Sequence, residues 1–144
     1  MSHNELVLRA KRWLKAIGCR VVISEMASEA GETPDAIGWR YGESILVECK
    51  TSRKDFFFDM KKVWRRNGYG MGGWRFYMCE PDLIMPEDVP VGWGLIYTGR
   101  PIKIVVGPKG NCSWGRPPFK SNLRRENLLL VSALSRINKK NNAS

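Results

Sequence analysis

Histidine is nearly absent from the chain: His3 is the only one in 144 residues. That scarcity argues against a histidine general base, a His-rich metal site and a Ser-His-Asp triad. The four cysteines, Cys19, Cys49, Cys79 and Cys112, are far apart, so neither a CxxC knuckle nor zinc spacing exists. Their sparseness does not suit a small secreted disulfide framework, and four reduced, mostly buried thiols are expected. No basic stretch followed by an apolar segment opens the chain, so no secretory leader is expected. The longest strongly apolar run, Leu128 to Leu134, is too short for a bilayer. Together these features point to a cytoplasmic location, in a bacterial cell or a phage-infected one. There is no internal repeat, and the glycine-rich stretch at 67–73 lacks the GK[ST] of a phosphate-binding loop.

Positive charge is abundant. Twenty-four Lys and Arg against 14 Asp and Glu leave a net +10, while 43% hydrophobic residues are enough for a real core. A single domain over 1–144 is expected, with 138–144 as a frayed tail. A strongly basic domain of this kind usually meets a polyanion, most often nucleic acid.

Hydrophobic periodicity orders the elements. Residues 4–17 read as an amphipathic helix capped by Asn4 and stopped by Gly18. Strand-like segments follow at 19–25, 34–39 and 44–50, the last two forming a hairpin around Arg40-Tyr41-Gly42-Glu43. Residues 53–66 are helix-like, basic and aromatic. Strands are expected at 74–79, 92–98 and 101–106, and a closing helix at 123–137. Helix, three strands, helix, three strands, helix is an α/β (α+β) order around a mixed sheet.

The charge is unevenly spread. From Glu25 to Glu48 six acids (Glu25, Glu29, Glu32, Asp35, Glu43, Glu48) face one base, Arg40, whereas 53–75 and 116–140 are strongly basic. A surface that only grips phosphates has no use for such acids, but one that hydrolyses phosphodiesters uses them to hold a divalent ion. For Glu29, Glu32 and Glu43 an ordinary surface role is the simpler reading. Pairing the hairpin around Tyr41-Gly42 sets Asp35 opposite Glu48, where Cβ atoms are ~5 Å apart and like charges repel unless a cation intervenes. Strand alternation puts Lys50 on the same face as Glu48 and turns Cys49 away, leaving its backbone carbonyl within reach of a metal. Mg²⁺, with Mn²⁺ as substitute, suits such hard oxygen ligands, and a metal-activated water could attack phosphorus with Lys50 at the phosphate.

Pro34-Asp35, twelve residues, then Glu48-Cys49-Lys50, set on a hairpin between helices, resembles the signature of the PD-(D/E)XK nuclease superfamily. The stretch Glu48 to Asp55 (ECKTSRKD) is similar to the corresponding segment of its Holliday junction resolvase-like branch. The resemblance covers roughly residues 4–80 and implies a restriction-endonuclease-like core, a four-stranded mixed sheet flanked by helices. It implies Mg²⁺-dependent hydrolysis of DNA in repair, recombination or the processing of phage or mobile-element DNA. Asp35 and Glu48 would be metal ligands and Lys50 the catalytic lysine, with Glu5 or Glu25 as candidate additional ligands.

Arg53, Lys54, Lys61, Lys62, Arg65, Arg66 and Arg75 are the candidate DNA contacts. Phe56, Phe57, Phe58 and Trp64 are either core or stacking surfaces for unpaired bases, with at least two of the phenylalanines expected in the core. The loop at 67–73 is a connector or a flap, and the apolar side of 123–137 is core or in part a homodimer seam. Two rival readings stand beside the nuclease: a catalytically silent nucleic-acid-binding module on the same fold, and a protein whose acidic island docks a basic partner.

Overall fold

Backbone hydrogen-bonding capacity and hydrophobic alternation organise the chain around one sheet. The computed structural model describes residues 1–24, 33–62, 65 and 69–142. In chain order the elements are helix α1 (His3–Ala16), strands β1 (Val21–Ser24), β2 (Ala36–Arg40) and β3 (Glu43–Cys49), helix α2 (Arg53–Asp59), β4 (Trp74–Cys79), a 3₁₀ turn at Pro86–Asp88, β5 (Trp93–Tyr97), β6 (Lys103–Val106) and helix α3 (Leu123–Asn142). The architecture is α+β: a six-stranded mixed sheet in the order β1-β2-β3-β4-β5-β6, with three helices. β3, β4 and β5 run parallel; β1–β2, β2–β3 and β5–β6 are antiparallel. The sheet is wider than the four-stranded core that the resemblance implies, β1 and β6 forming its edges.

Alternation along the central strands builds two cores. Val47, Phe76 and Met78 face α1 and pack with Leu6, Ala10 and Leu14. Leu46, Tyr77 and Leu95 face the other way and pack with Ile37, Phe56 and Leu129. Full burial of each such side chain contributes roughly 1.5–3 kcal/mol. The parallel centre is covered on both faces, so every residue of β4 and β5 is interior. Gly94 on β5 has no room for a side chain: an added Cβ would lie 2.3 Å from Phe76 Cδ1 and 2.9 Å from the Val106 carbonyl oxygen. Gly94→Ala is expected to cost about 1–3 kcal/mol in urea unfolding; a change below a few tenths would refute this account of the packing.

Several boundaries differ from the expectations. The cap of α1 is Ser2 rather than Asn4: its hydroxyl accepts the Glu5 amide at 3.2 Å. The segment expected as one helix over 53–66 is helical only to Asp59. α3 continues to Asn142, so 138–142 is helix rather than a frayed tail. It is also less buried than its leucines suggest. Glu126 and Leu129 are interior, whereas Val131, Leu134 and Ile137 are exposed.

Glu126 fastens the start of α3 to the sheet, accepting from the Ser44 hydroxyl at 2.7 Å, the Gly72 amide at 2.9 Å and the Trp39 indole at 3.4 Å. Ser44 in turn accepts from the Gly73 amide at 3.0 Å. Residues 70–73 of the expected flap are therefore buried and pinned, while 67 and 68 lie outside the described residues. Cys19, Cys49 and Cys79 are buried and Cys112 is exposed, all as free thiols. Among the described residues no helix is long and apolar enough to cross a membrane.

Candidate active site

Local turn chemistry places the acids. Tyr41 and Gly42 both have positive φ, 51° and 72°, the conformation of a two-residue hairpin turn whose twist suits the flanking strands. The resulting register, Arg40 opposite Glu43 through Ala36 opposite Val47, is the one expected from the sequence. Asp35 lies one residue beyond the last rung, and the Cys49 amide donates to its Oδ2 at 2.8 Å. His3 Nε2, from the start of α1, lies 3.5 Å from Asp35 Oδ1. Glu48, only 4% exposed, shares the cavity with Asp35. Burial pushes the Glu48 carboxyl up to about 8; the Arg65 guanidinium opposes the rise, and the hydrogen-bonded Asp35 carboxyl adds to it. At neutral pH Glu48 therefore retains its proton, and Arg65 Nη2 donates a hydrogen bond to its Oε1.

A second acid organises the cations. Asp59 closes α2 and is 1% exposed. It accepts from Tyr77 Oη at 2.9 Å and from Arg65 Nε and Nη2 at 2.7 and 2.9 Å. Lys50 Nζ is 3.1 Å away and Lys62 Nζ 3.4 Å. Arg65 Nη2 also reaches Glu48 Oε1 at 2.7 Å, joining the two acids. Burial alone would raise the Asp59 carboxyl, but hydrogen bonding and charge from Arg65, and then Lys50, hold it far below the usual carboxylate range. Arg65 itself is held above its ordinary value: burial disfavours its charge, and Glu48 and Asp59 outweigh that. These groups line a cavity of about 410 Å³ whose walls include Asp35, Glu48, Lys50, Asp59, Lys62 and Arg65.

The early end of α2 makes this possible. In a continuous helix Arg65 would lie six residues and about 9 Å of rise beyond Asp59; the turn after Asp59 brings it back. Asp59, Tyr77 and His3 were not among the expected site residues. Asp59 carried one signal, since it shares with Phe56, three residues earlier, the buried face of α2.

The other expected site residues are dispersed. Glu5 is exposed on α1 and does not line the cavity, because its helix presents Leu6, Ala10 and Leu14 inward instead. Glu25, Arg66 and Trp64 lie outside the described residues. The Cys49 side chain is buried on the opposite face, while its backbone borders the cavity. Arg53 is committed to Asp88 at 2.9 Å and to the Leu83 carbonyl at 3.0 Å. Lys54 and Lys61 are exposed away from the cavity, and Lys62 is on its wall. Arg65, expected at a DNA backbone, is instead an internal partner of the acids.

Arg75 is corrected outright. It is 1% exposed, donates to the Gly72 and Gly70 carbonyls at 2.9 and 3.2 Å and lies over the Phe119 ring at 4.3 Å. It is an internal strut of β4, out of reach of DNA. Of Phe56, Phe57 and Phe58 only Phe56 is core; Phe57 and Phe58 are exposed, contrary to the expectation of two buried rings among them.

The sequence matches no family model and no curated protein. A solved structure, the SPO1766 protein of unknown function from Silicibacter pomeroyi, has a similar fold. The TM-score is 0.65 at 25% identity, over 95% of this chain and 90% of that one.

Proposed function

We propose that this chain is a divalent-metal-dependent deoxyribonuclease that hydrolyses phosphodiester bonds inside the cell, in DNA repair, recombination or the processing of phage or mobile-element DNA. The observation that carries this reading is the convergence of Asp35, Glu48 and Lys50 on one cavity in a chain of net charge +10.

The donor set fits Mg²⁺ or Mn²⁺. Glu48 is buried and Asp35 beside it half-buried; burial first, and the neighbouring Asp35 carboxyl in addition, favour a protonated Glu48, and a hard cation relieves such a pair. Asp35, Glu48 and the Cys49 carbonyl would hold the ion. Among the described residues no three His, Cys, Asp or Glu side chains are placed to hold a metal ion together, but Mg²⁺ is commonly held by one or two carboxylates with waters completing its shell. When bound, the ion supplies charge neutralisation at the phosphate and makes a water more acidic.

The chain's own groups supply the rest. Lys50, tethered by Asp59, presents a fixed ammonium for a phosphate entering the cavity. Lys62 adds a partly exposed cation at the wall. Arg65 balances the acids on the floor, and Tyr77 holds Asp59 from beneath.

One observation favours a second reading. Arg65 Nη2 already occupies Glu48 Oε1 at 2.7 Å, where a metal ligand would have to be free, as would suit a catalytically silent nucleic-acid-binding module. Labelled duplex, flap, junction and single-stranded DNA incubated with Mg²⁺ or Mn²⁺, and in parallel with EDTA, separate the two. The wild type is expected to cut with metal only, and Lys50→Ala to lose about 100-fold in kcat/KM. Binding without cutting, under either metal, would retire the enzymatic reading in favour of the silent module.

A further inference from the structure

We infer that the cavity takes a DNA strand whose base beside the scissile phosphate is unpaired, and that the Phe58 ring is the platform on which that base stacks. The inference rests on the nuclease reading and adds the substrate class to it.

Three consecutive phenylalanines, Phe56 to Phe58, precede Asp59 at the end of α2, and they differ in surroundings. Phe56 is fully buried, edge-on to Tyr77 with centroids 4.8 Å apart. Phe57 packs against Phe56 at 5.0 Å and is covered by the Arg53 guanidinium at 5.2 Å. Phe58 is 69% exposed and, among the described residues, meets no ring and no cation. It also lines the cavity that holds Asp35, Glu48 and Lys50. An aromatic face left to water at the mouth of a polar, charged cavity suits a planar, apolar ligand surface, and every nucleobase has one.

The depth of the site points the same way. Glu48 is 4% exposed and the Lys50 side chain 11%, so a phosphate must enter the cavity to meet them. The space, about 410 Å³, is at the scale of a single small ligand (roughly 300–1,000 Å³). A single nucleotide fits that scale. Lys62 and His3, both partly exposed on the wall, add polar contacts for the flanking backbone.

The test compares kcat/KM on a blunt duplex, a flap and a single strand of the same sequence, for wild type, Phe58→Ala and Phe58→Trp. The wild type is expected to prefer the flap and single strand. That preference should fall about 10-fold in Phe58→Ala and return in Phe58→Trp. A 2-aminopurine placed beside the cleavage position, read in Ca²⁺ buffer, should be quenched by wild type and Phe58→Trp but not by Phe58→Ala. A wild type that cuts the blunt duplex as well as the flap, or an unchanged preference in Phe58→Ala, would overturn the inference and leave the nuclease reading standing. A wild type that cuts no substrate would overturn the nuclease reading itself.

Discussion

Glu48→Gln is expected to lower metal-dependent cleavage at least about 1,000-fold while making the protein more stable, not less, as the pH is raised. The activity loss follows from removing one of two carboxylates that would hold the ion, a contribution of several kcal/mol to the barrier. The stability gain follows from where Glu48 keeps its proton. Its carboxyl is raised to about 8 in the folded chain from an ordinary value of 4.5, chiefly by burial. Between those two values the native state binds a proton that the unfolded chain has released. Wild-type stability therefore falls as pH rises through that window, by at most about 1.4 kcal/mol per unit, and levels off above it. Glutamine has the shape of the protonated acid and no proton to lose. Thermal melts of both proteins at half-unit steps from pH 5 to 9 should diverge up to about 8 and run parallel beyond. Curves parallel throughout would show that Glu48 is ionised in the native state and would remove this account of the site.

Asp59→Asn is expected to do the opposite to the fold. Asp59 is held far below the ordinary carboxylate range by Arg65 and Lys50 despite burial, so its charge is present at every pH of interest. Its stabilising effect is complete above the ordinary carboxylate value and is lost as the pH falls through the folded one. Asparagine leaves Arg65 and Lys50 as buried cations with their principal counter-charge gone. Removing one member of a buried pair costs about 3–5 kcal/mol. For a chain of this length that is a fall in Tm on the order of 10–20 °C. Cleavage should fall as well, since the ammonium that meets the phosphate loses its tether. The double variant Asp59→Asn, Arg65→Met should recover part of the stability without recovering cleavage, because the uncompensated charge is gone while Lys50 remains loose. Urea unfolding reads both effects; a loss below about 1 kcal/mol in the single variant would show that the cluster is not the anchor described.

The two variants pull apart because neighbouring carboxyls 11 positions apart in sequence, both nearly inaccessible, are kept in opposite protonation states. One faces another acid across a hairpin. The other faces three cations, Lys50, Lys62 and Arg65. That separation suits a site needing one group free to exchange a proton for a cation and another permanently charged to hold a lysine.

What sequence alone determined here is local. The turn residues Tyr41 and Gly42 set the hairpin register, and register with strand alternation put Asp35, Glu48 and Lys50 on one cavity. Only the tertiary structure decided the rest. Asp59, Arg65 and Tyr77 meet because α2 stops at Asp59 and β4 brings Tyr77 to the same carboxyl as Arg65, a non-local packing outcome with no sequence period of its own. Arg75 read as a DNA contact because it carries a charge beside a basic segment, yet β4 is covered on both faces, which alternation within one strand cannot reveal. Phe58 looked equivalent to Phe56 and Phe57. Which of three adjacent rings is left to water depends on what packs against the helix, and that is a property of the assembled sheet and not of the helix itself.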